Sequence, residues 1–205
     1  MSKIKLTKGE LKKQRDGLKQ FLHYLPTLQL KKQQLQIKIL EVKRQLADRE
    51  KILNEKLEAI QPWAGLLADS SIDLKEWLTP IQVITEITNI AGANLPVFSD
   101  IRFAEAKYDF YSTPLWIDQG LEELRILEAL LAEIKIIQKQ IAILEQELRI
   151  TTQRVNLFEK VKIPECQENI RRIRIYLGDQ MANAVGISKV AKRKVELRSL
   201  EEMVV

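Results

Sequence analysis

Two long stretches of the chain repeat apolar residues at heptad spacing, which is the pattern of a coiled-coil seam. The first stretch holds two rows of apolar residues. One row is Leu11, Leu18, Leu25, Ile39, Leu46, Leu53 and Ile60, interrupted by Lys32. The other row is Phe21, Leu28, Leu35 and Val42. The second stretch holds Leu127, Leu130, Ile134, Ile137, Ile141, Leu144, Leu148, Val155 and Phe158, with a polar residue at Thr151. Two matching seams in one chain predict a helix-dominated fold, a long antiparallel two-helix coiled-coil hairpin.

The ends of the first helix can be predicted from local signals. Thr7 followed by Glu10 fits a capping box, so the helix is expected to begin at Lys8. It should end at Gln61, because the residue before Pro62 resists the helical conformation. Between residues 8 and 60 it would span roughly 75 Å. Pro26 predicts either a kink or a helix that starts again there.

The second long helix is expected to begin near Thr113 and Pro114 and to run to about Leu177. Gly120 and Pro164 are its weak points. After Phe158 the apolar positions shift phase, which predicts that the seam rotates about the helix. The shifted positions are Ile163, Cys166, Ile170, Ile173 and Leu177.

A central insert separates the two stretches and loses the heptad pattern. Ile81, Val83, Thr85 and Ile87 share one face of a predicted strand, and residues 97–103 form another β-favouring run. We expect a β-hairpin over about 81–103, although Thr79 and Pro80 would also suit a helix start. The predicted segments are therefore helix 1–60, insert 61–113, helix 114–178 and a C-terminal extension 179–205.

Charge is distributed unevenly along the chain. Residues 1–60 carry 15 basic and 7 acidic groups, residues 61–117 carry 3 and 7, and residues 118–205 carry 15 and 14. One basic cluster begins with Lys3 and Lys5 near the N-terminus. Another contains Lys189, Lys192, Arg193 and Lys194 and is a candidate partner contact, although such clusters commonly form a solvated helix face.

Residue types that carry chemistry are scarce. His23 and Cys166 are the single histidine and cysteine, so an intrachain disulfide is excluded and the usual four-ligand zinc site is not expected. We expect no catalytic residue, no metal and no cofactor. With no bilayer-length apolar run and no signal-peptide core in the sequence, the protein is expected to be soluble and intracellular, in the cytoplasm.

Four segments carry recognisable motifs. The most specific runs through Arg154, Val155, Asn156 and Glu159 to Ile163 and Pro164. The others are the opening at residues 6–8 and the segments 89–92 and 95–97. Together they resemble a known family, the D subunits of the V-type and archaeal-type (V/A) rotary ATPases, which form the axle of the central stalk.

The resemblance implies a non-catalytic rotor shaft that transmits torque between a hexamer of A and B subunits and the ion-translocating membrane ring. It also implies the F subunit and the C subunit that forms the rotor socket as partners, without direct membrane insertion or nucleic-acid binding. Two alternatives follow from the residues alone. One is a non-rotary coiled-coil adaptor or tethering protein, in which the seams pair between chains. The other is a nucleic-acid-binding protein that uses the basic first helix.

Overall fold

The computed structural model describes residues 4–68, 74–106, 108, 109, 111 and 113–204. Lys3, in the N-terminal basic cluster, lies outside these residues, as do parts of the predicted insert and the last residue of the extension. The fold class is confirmed: long helices occupy both ends of the chain, and a two-stranded antiparallel sheet lies between them.

Helix α1 covers Lys8–Ile60, as the sequence predicts. The backbone N–H of Glu10 donates to Thr7 Oγ1 at 3.3 Å, which is one half of the predicted capping box. The helix continues through Pro26 and does not start again there. It ends at Ile60, directly before Gln61 and Pro62.

Between α1 and the strands, a 3₁₀ turn covers Ala64–Ala68 and a single-turn helix, α2, covers Lys75–Leu78. Strand β1, Pro80–Ile90, and strand β2, Ala93–Phe103, form the predicted hairpin. Ala91 and Gly92 connect the strands with φ values of 52° and 80°, the left-handed conformations that a two-residue hairpin turn requires. The Asn89 side chain accepts the Gly92 N–H at 3.2 Å and so stabilises the turn.

Strand β2 of the hairpin contains a β-bulge. Ile84 pairs with Asp100 and Thr85 pairs with Phe98, so Ser99 is the extra residue. The face of β1 that carries Ile81 and Ile87 is exposed, although it is the more apolar face of the strand. Buried contacts of the hairpin come instead from β2, through Ala93 and Leu95.

Helix α3, Ile117–Leu157, begins three residues later than Pro114, so the predicted start is wrong. The Thr113 hydroxyl donates backwards to the Asp109 carbonyl at 2.7 Å and closes a turn instead of capping a helix. A π-helical turn, Phe158–Lys162, follows α3 directly. Helix α4 then covers Ile163–Val204. It does not end near Leu177, because Gly178 does not take the left-handed conformation that commonly ends a helix.

The chain divides into two compact units. We call Lys31–Thr151 the central unit, and Met1–Leu30 with Thr152–Val205 the terminal unit. The core of the central unit joins α1, α3 and the hairpin through buried aliphatic side chains: Leu35, Ile39, Val42, Ala93, Leu95, Ile137 and Leu144.

Candidate functional site

The seam of the central unit is a dry apolar contact between α1 and α3. Ile39, Ile134, Ile137 and Leu144 are buried, and the neighbouring seam positions Leu46, Leu53, Ile141 and Leu148 are half-buried. Ile136 is also buried, although it lies outside the heptad rows. α3 therefore buries a wider face than a two-helix seam needs, because it also packs against the hairpin.

Four ion pairs join α1 to α3 along the edges of this seam. They are Lys31–Glu147 at 3.7 Å, Lys43–Glu145 at 2.8 Å, Arg49–Glu133 at 3.0 Å and Lys56–Glu123 at 3.0 Å. The residue numbers of the α3 partners fall as those of the α1 partners rise, so the two helices are antiparallel within the central unit. Each pair is partly exposed and contributes about 0 to 1 kcal/mol, so the seam supplies most of the stability.

Within the terminal unit, residues of α1 contact the π turn and α4. The Phe21 and Phe158 rings lie with centroids 5.0 Å apart. Leu18 and Leu25 are half-buried, and Val155 is buried. Gln14 of α1 contacts Asn169 and Phe21 contacts Phe158, so the partner numbers fall as the α1 numbers rise and the segments are antiparallel within this unit too.

A chain of polar side chains crosses the seam of the terminal unit. Asn169, which is buried, donates to Gln14 Oε1 at 3.4 Å, and Gln14 donates to Glu10 Oε1 at 2.8 Å. A buried amide that lacks a hydrogen-bond partner destabilises the fold, so this contact favours one register of the two helices. It links the α1 start to α4.

The π turn explains the phase shift of the apolar positions. The Ile163 N–H donates to the Phe158 carbonyl, a bond across five residues instead of four, so the turn holds one additional residue. Pro164 cannot donate to the carbonyl four residues earlier and its ring crowds that carbonyl, and the wider turn relieves the conflict. The shift therefore has a local cause, and the π turn absorbs it without the rotation of the seam that the sequence predicts.

The six residues of the family-signature segment do not form a cluster of buried functional groups. Val155 is buried and Ile163 is half-buried, so both belong to the seam. The others are exposed: Arg154, Asn156, Glu159 and Pro164.

The last part of α4 presents its side chains to solvent. Every residue from 178 to 197 is exposed. The predicted contact residues Lys189, Lys192, Arg193 and Lys194 all lie there, and the Lys192–Glu196 pair at 3.7 Å is an ion pair within the helix. Apolar side chains such as Ile187 and Val195 are exposed on the same segment. Apolar and charged side chains are therefore exposed together on this segment.

Trp63 and Trp116 lie where α1 ends and α3 begins, and they line a cavity of about 400 Å³ together with Gly120. A Cβ added at Gly120 would meet the Trp116 ring at 2.8 Å, so glycine allows the indole to lie against the helix. Trp77 contacts the Tyr108 ring. The tryptophans thus form small local cores around the insert.

Arg125 and Gln140, on α3, attach the hairpin through its main-chain carbonyls. Arg125 Nη2 donates to the Ala104 carbonyl at 2.6 Å, and Gln140 Nε2 donates to the Pro96 carbonyl at 2.5 Å. Neither residue was identifiable from the sequence, because their partners are 21 and 44 positions away. The one available signal was the apolar pair Ile136 and Ile137, which marks α3 as a helix with two partner surfaces.

Four groups in the described residues have shifted pKa values with clear causes. One is Arg171, whose pKa is raised by the hydrogen bond that it donates to Glu168. The hydrogen bond that Tyr108 donates to Asp118 raises the pKa of the Tyr108 phenol. Hydrogen bonds from Arg171 and then Arg172 lower the pKa of Glu168. Burial raises the pKa of the Cys166 thiol.

Among the residues that the structure describes, none of the His, Cys, Asp and Glu side chains form a group of three or more that could hold a metal ion. In the same part of the chain, no helix combines the length and the apolar character that crossing a bilayer would need.

Comparison with known proteins assigns the chain to a family. The family model that describes the D subunit of ATP synthase matches residues 10–193. The D subunit of the V-type ATP synthase of Borreliella burgdorferi is 45% identical over 192 residues, covering 94% of this chain and 95% of that protein. Proteins of the same name from Chlamydia pneumoniae and Chlamydia abortus are each 34% identical, covering 95% and 98% of this chain and 94% and 97% of their own lengths. With its two apolar seams and central hairpin, this chain therefore belongs to the family of ATP synthase D subunits.

Proposed function

We propose that the chain is the central rotor shaft of a V/A-type ATPase or ATP synthase. In this role it transmits torque between a hexamer of A and B subunits, which hydrolyses or makes ATP, and the ion-translocating membrane ring. Membership of the D-subunit family supports the proposal that the chain is a subunit of such a complex. The observation that supports the mechanical role is the seam: in each unit, α1 packs antiparallel against its partner helix through buried aliphatic and aromatic side chains.

The seam suits a part that must resist twisting. Side chains such as Leu35, Val42 and Leu144 are fully enclosed between elements, and close-packed interiors deform little under load. The outer faces carry partly exposed ion pairs and exposed charges. Contacts made by such faces are weak, about 0 to 1 kcal/mol for an exposed pair, and they can form and break during each turn.

We assign the exposed α4 segment, residues 178–197, to contact with the A and B subunits. The segment combines exposed apolar side chains with the basic cluster Lys189, Lys192, Arg193 and Lys194. A helix that buries neither its apolar nor its charged side chains within its own chain is suited to a partner that encloses it. The F subunit and the socket-forming C subunit would contact the rest of the chain, with the protein peripheral to the membrane in the cytoplasm.

A rotation assay tests the proposal. The bead is attached to a cysteine introduced by Thr85→Cys on the exposed face of the hairpin, in a Cys166→Ser background, and the A and B hexamer is fixed to glass. We expect ATP to drive rotation of the bead in one direction, and removal of ATP to stop it. Beads fixed to the hexamer itself serve as the control. A complex that hydrolyses ATP while the hairpin bead stays still would refute the shaft role.

Light scattering of the isolated chain separates the shaft from the adaptor alternative. The proposal expects a monomer of 23.8 kDa. A dimer in the absence of any partner would favour an adaptor whose helices pair between chains.

The basic cluster of α4 gives a more local test. Neutralising Lys192, Arg193 and Lys194 to glutamine should leave the far-UV circular dichroism and thermal unfolding unchanged, because these side chains are exposed. In the assembled complex it should alter ATP-driven rotation. Unchanged rotation would show that the cluster only solvates the helix.

A further inference from the structure

The hairpin is tied to α3 at two places, one near its base and one near its turn. Arg125 holds the base and Gln140 holds the part near the turn. These two residues are 15 positions apart, which is roughly 22 Å along an α-helix. Both side chains donate to main-chain carbonyls, so the attachment depends on the path of the hairpin backbone.

At the base, one guanidinium binds the chain on both sides of the hairpin. Arg125 Nη2 lies 2.6 Å from the carbonyl of Ala104, which directly follows β2. Its Nε and Nη2 each lie 3.4 Å from the carbonyl of Trp77, which shortly precedes β1. Its Cζ also lies 5.4 Å from the centroid of the Phe103 ring. The planar fork of arginine suits this geometry, whereas a lysine ammonium is a single point charge on a flexible stem.

Near the turn, Gln140 makes the second attachment in a dry environment. Its side chain is only 8% exposed, and Nε2 lies 2.5 Å from the Pro96 carbonyl. On the same strand, Leu95 and Ala93 are buried in the core that α1 and α3 share. The hydrogen bond is thus shielded from water, where it is stronger than an exposed one.

The opposite face of the hairpin is free within the described chain. Ile81 is 72% exposed and Ile87 is 77% exposed. Each β1 residue on this face, at positions 81, 83, 85, 87 and 89, is uncharged. Force applied to this face would reach α3 through the two attachments and the apolar contact between them, and it need not pass through the irregular segments that precede β1 and follow β2.

We propose that Arg125 and Gln140 are positioning residues that make the hairpin and α3 move as one mechanical body. The attachment itself is a property of the chain alone. Its use as a load path rests on the proposed shaft function, because it requires that another part of the complex acts on the hairpin while α3 turns.

Hydrogen exchange of the full chain tests the attachment. In Arg125→Lys, amides near the base of the hairpin, such as those of Gln82 and Arg102, should exchange at least about tenfold faster, while α3 amides are unchanged. Arg149→Lys is the matched control, because Arg149 lies on the same helix and, among the described residues, the hairpin carbonyls are bound by Arg125 and Gln140 instead. Equal exchange in the Arg125 and Arg149 variants would overturn the proposal.

Gln140→Leu tests the other attachment and keeps the proposal falsifiable if Arg125→Lys does not fold. It removes one hydrogen bond and keeps a side chain of similar length. We expect faster exchange confined to residues near the turn, around Asn89 and Asn94. Exchange that rises equally along the whole hairpin, or that does not rise, would contradict two separate attachments.

The load path is tested in the assembled complex through the ratio of ions transported to ATP hydrolysed. Arg125→Lys should lower this ratio, with hydrolysis retained and the melting temperature of the complex unchanged, and Arg149→Lys should leave it unaltered. Faster hairpin exchange with an unchanged ratio would overturn the load path and leave the attachment standing. A hairpin bead that does not rotate in the unmodified complex would instead refute the shaft function.

Discussion

Leu144→Ala measures how much the seam stabilises the central unit. Leu144 is 0% exposed and packs in the cluster that contains Leu35 and Val42, which are 0% and 1% exposed. Truncating a buried leucine costs about 2 to 5 kcal/mol, and the cost is largest where the surroundings cannot collapse. Here the neighbours lie on α1, α3 and the hairpin, whose other contacts limit how far they can move into the space, so we expect a loss of about 3 kcal/mol. Leu40→Ala is the matched control, since Leu40 is 60% exposed, and should cost less than about 0.5 kcal/mol.

Urea unfolding followed by tryptophan fluorescence is the assay. The three tryptophans, Trp63, Trp77 and Trp116, all belong to the central unit, so their emission reports this unit. The free energy of unfolding should fall by about 2 to 3 kcal/mol for each molar of urea, so Leu144→Ala should lower the midpoint of unfolding by about 1 M. Far-UV circular dichroism of the same samples follows both units. Midpoints of the two variants that agree within about 0.2 M would refute the seam as the main source of stability.

Three further predictions concern local features. The pKa of Tyr108 is raised in the folded state, so its hydrogen bond to Asp118 stabilises the fold below the ordinary phenol pKa of about 10. This stabilisation is lost as the pH rises through the pKa of the folded state. Asp118→Ala should therefore lower the Tyr108 pKa measured from phenolate absorbance. Because burial raises the pKa of Cys166, a thiol reagent at mildly alkaline pH should modify the native chain more slowly than the urea-unfolded chain, and equal rates would contradict its burial. Gly178→Ala should raise the free energy of unfolding by up to about 1 kcal/mol, because no atom lies within 4 Å of the added Cβ. Gly120→Ala should give no gain, because its Cβ meets an indole ring. Thermal unfolding of both variants measures the difference.

The sequence predicts most of the architecture because burial imposes a period. A helix that packs along one partner buries every third or fourth residue, so the heptad rows located α1 and α3 and named buried positions such as Ile39 and Leu144. The hairpin followed from β-branched residues that alternate around a turn with Gly92. These signals are local, and the sequence displays them directly.

Features that depend on distant partners or on competition between local signals were not predictable. The base attachment unites Trp77, Ala104 and Arg125, which no spacing rule connects. The α3 start was misplaced because Thr113 closes a turn toward Asp109, which competes with the capping role. The apolar face of β1 was identified correctly, but only the structure shows that this face is exposed and that β2 makes the buried contacts.

The π turn also determines where the chain can change length. Removing one residue from Phe158–Lys162 would keep the present orientation of the buried positions before and after it, although it would restore the conflict between Pro164 and the carbonyl four residues earlier. The same deletion inside α3 would rotate every following side chain by about 100° and carry the buried row toward solvent. When this protein is aligned with relatives, a gap of one residue therefore belongs at this turn, and the rest of the seam should align without gaps.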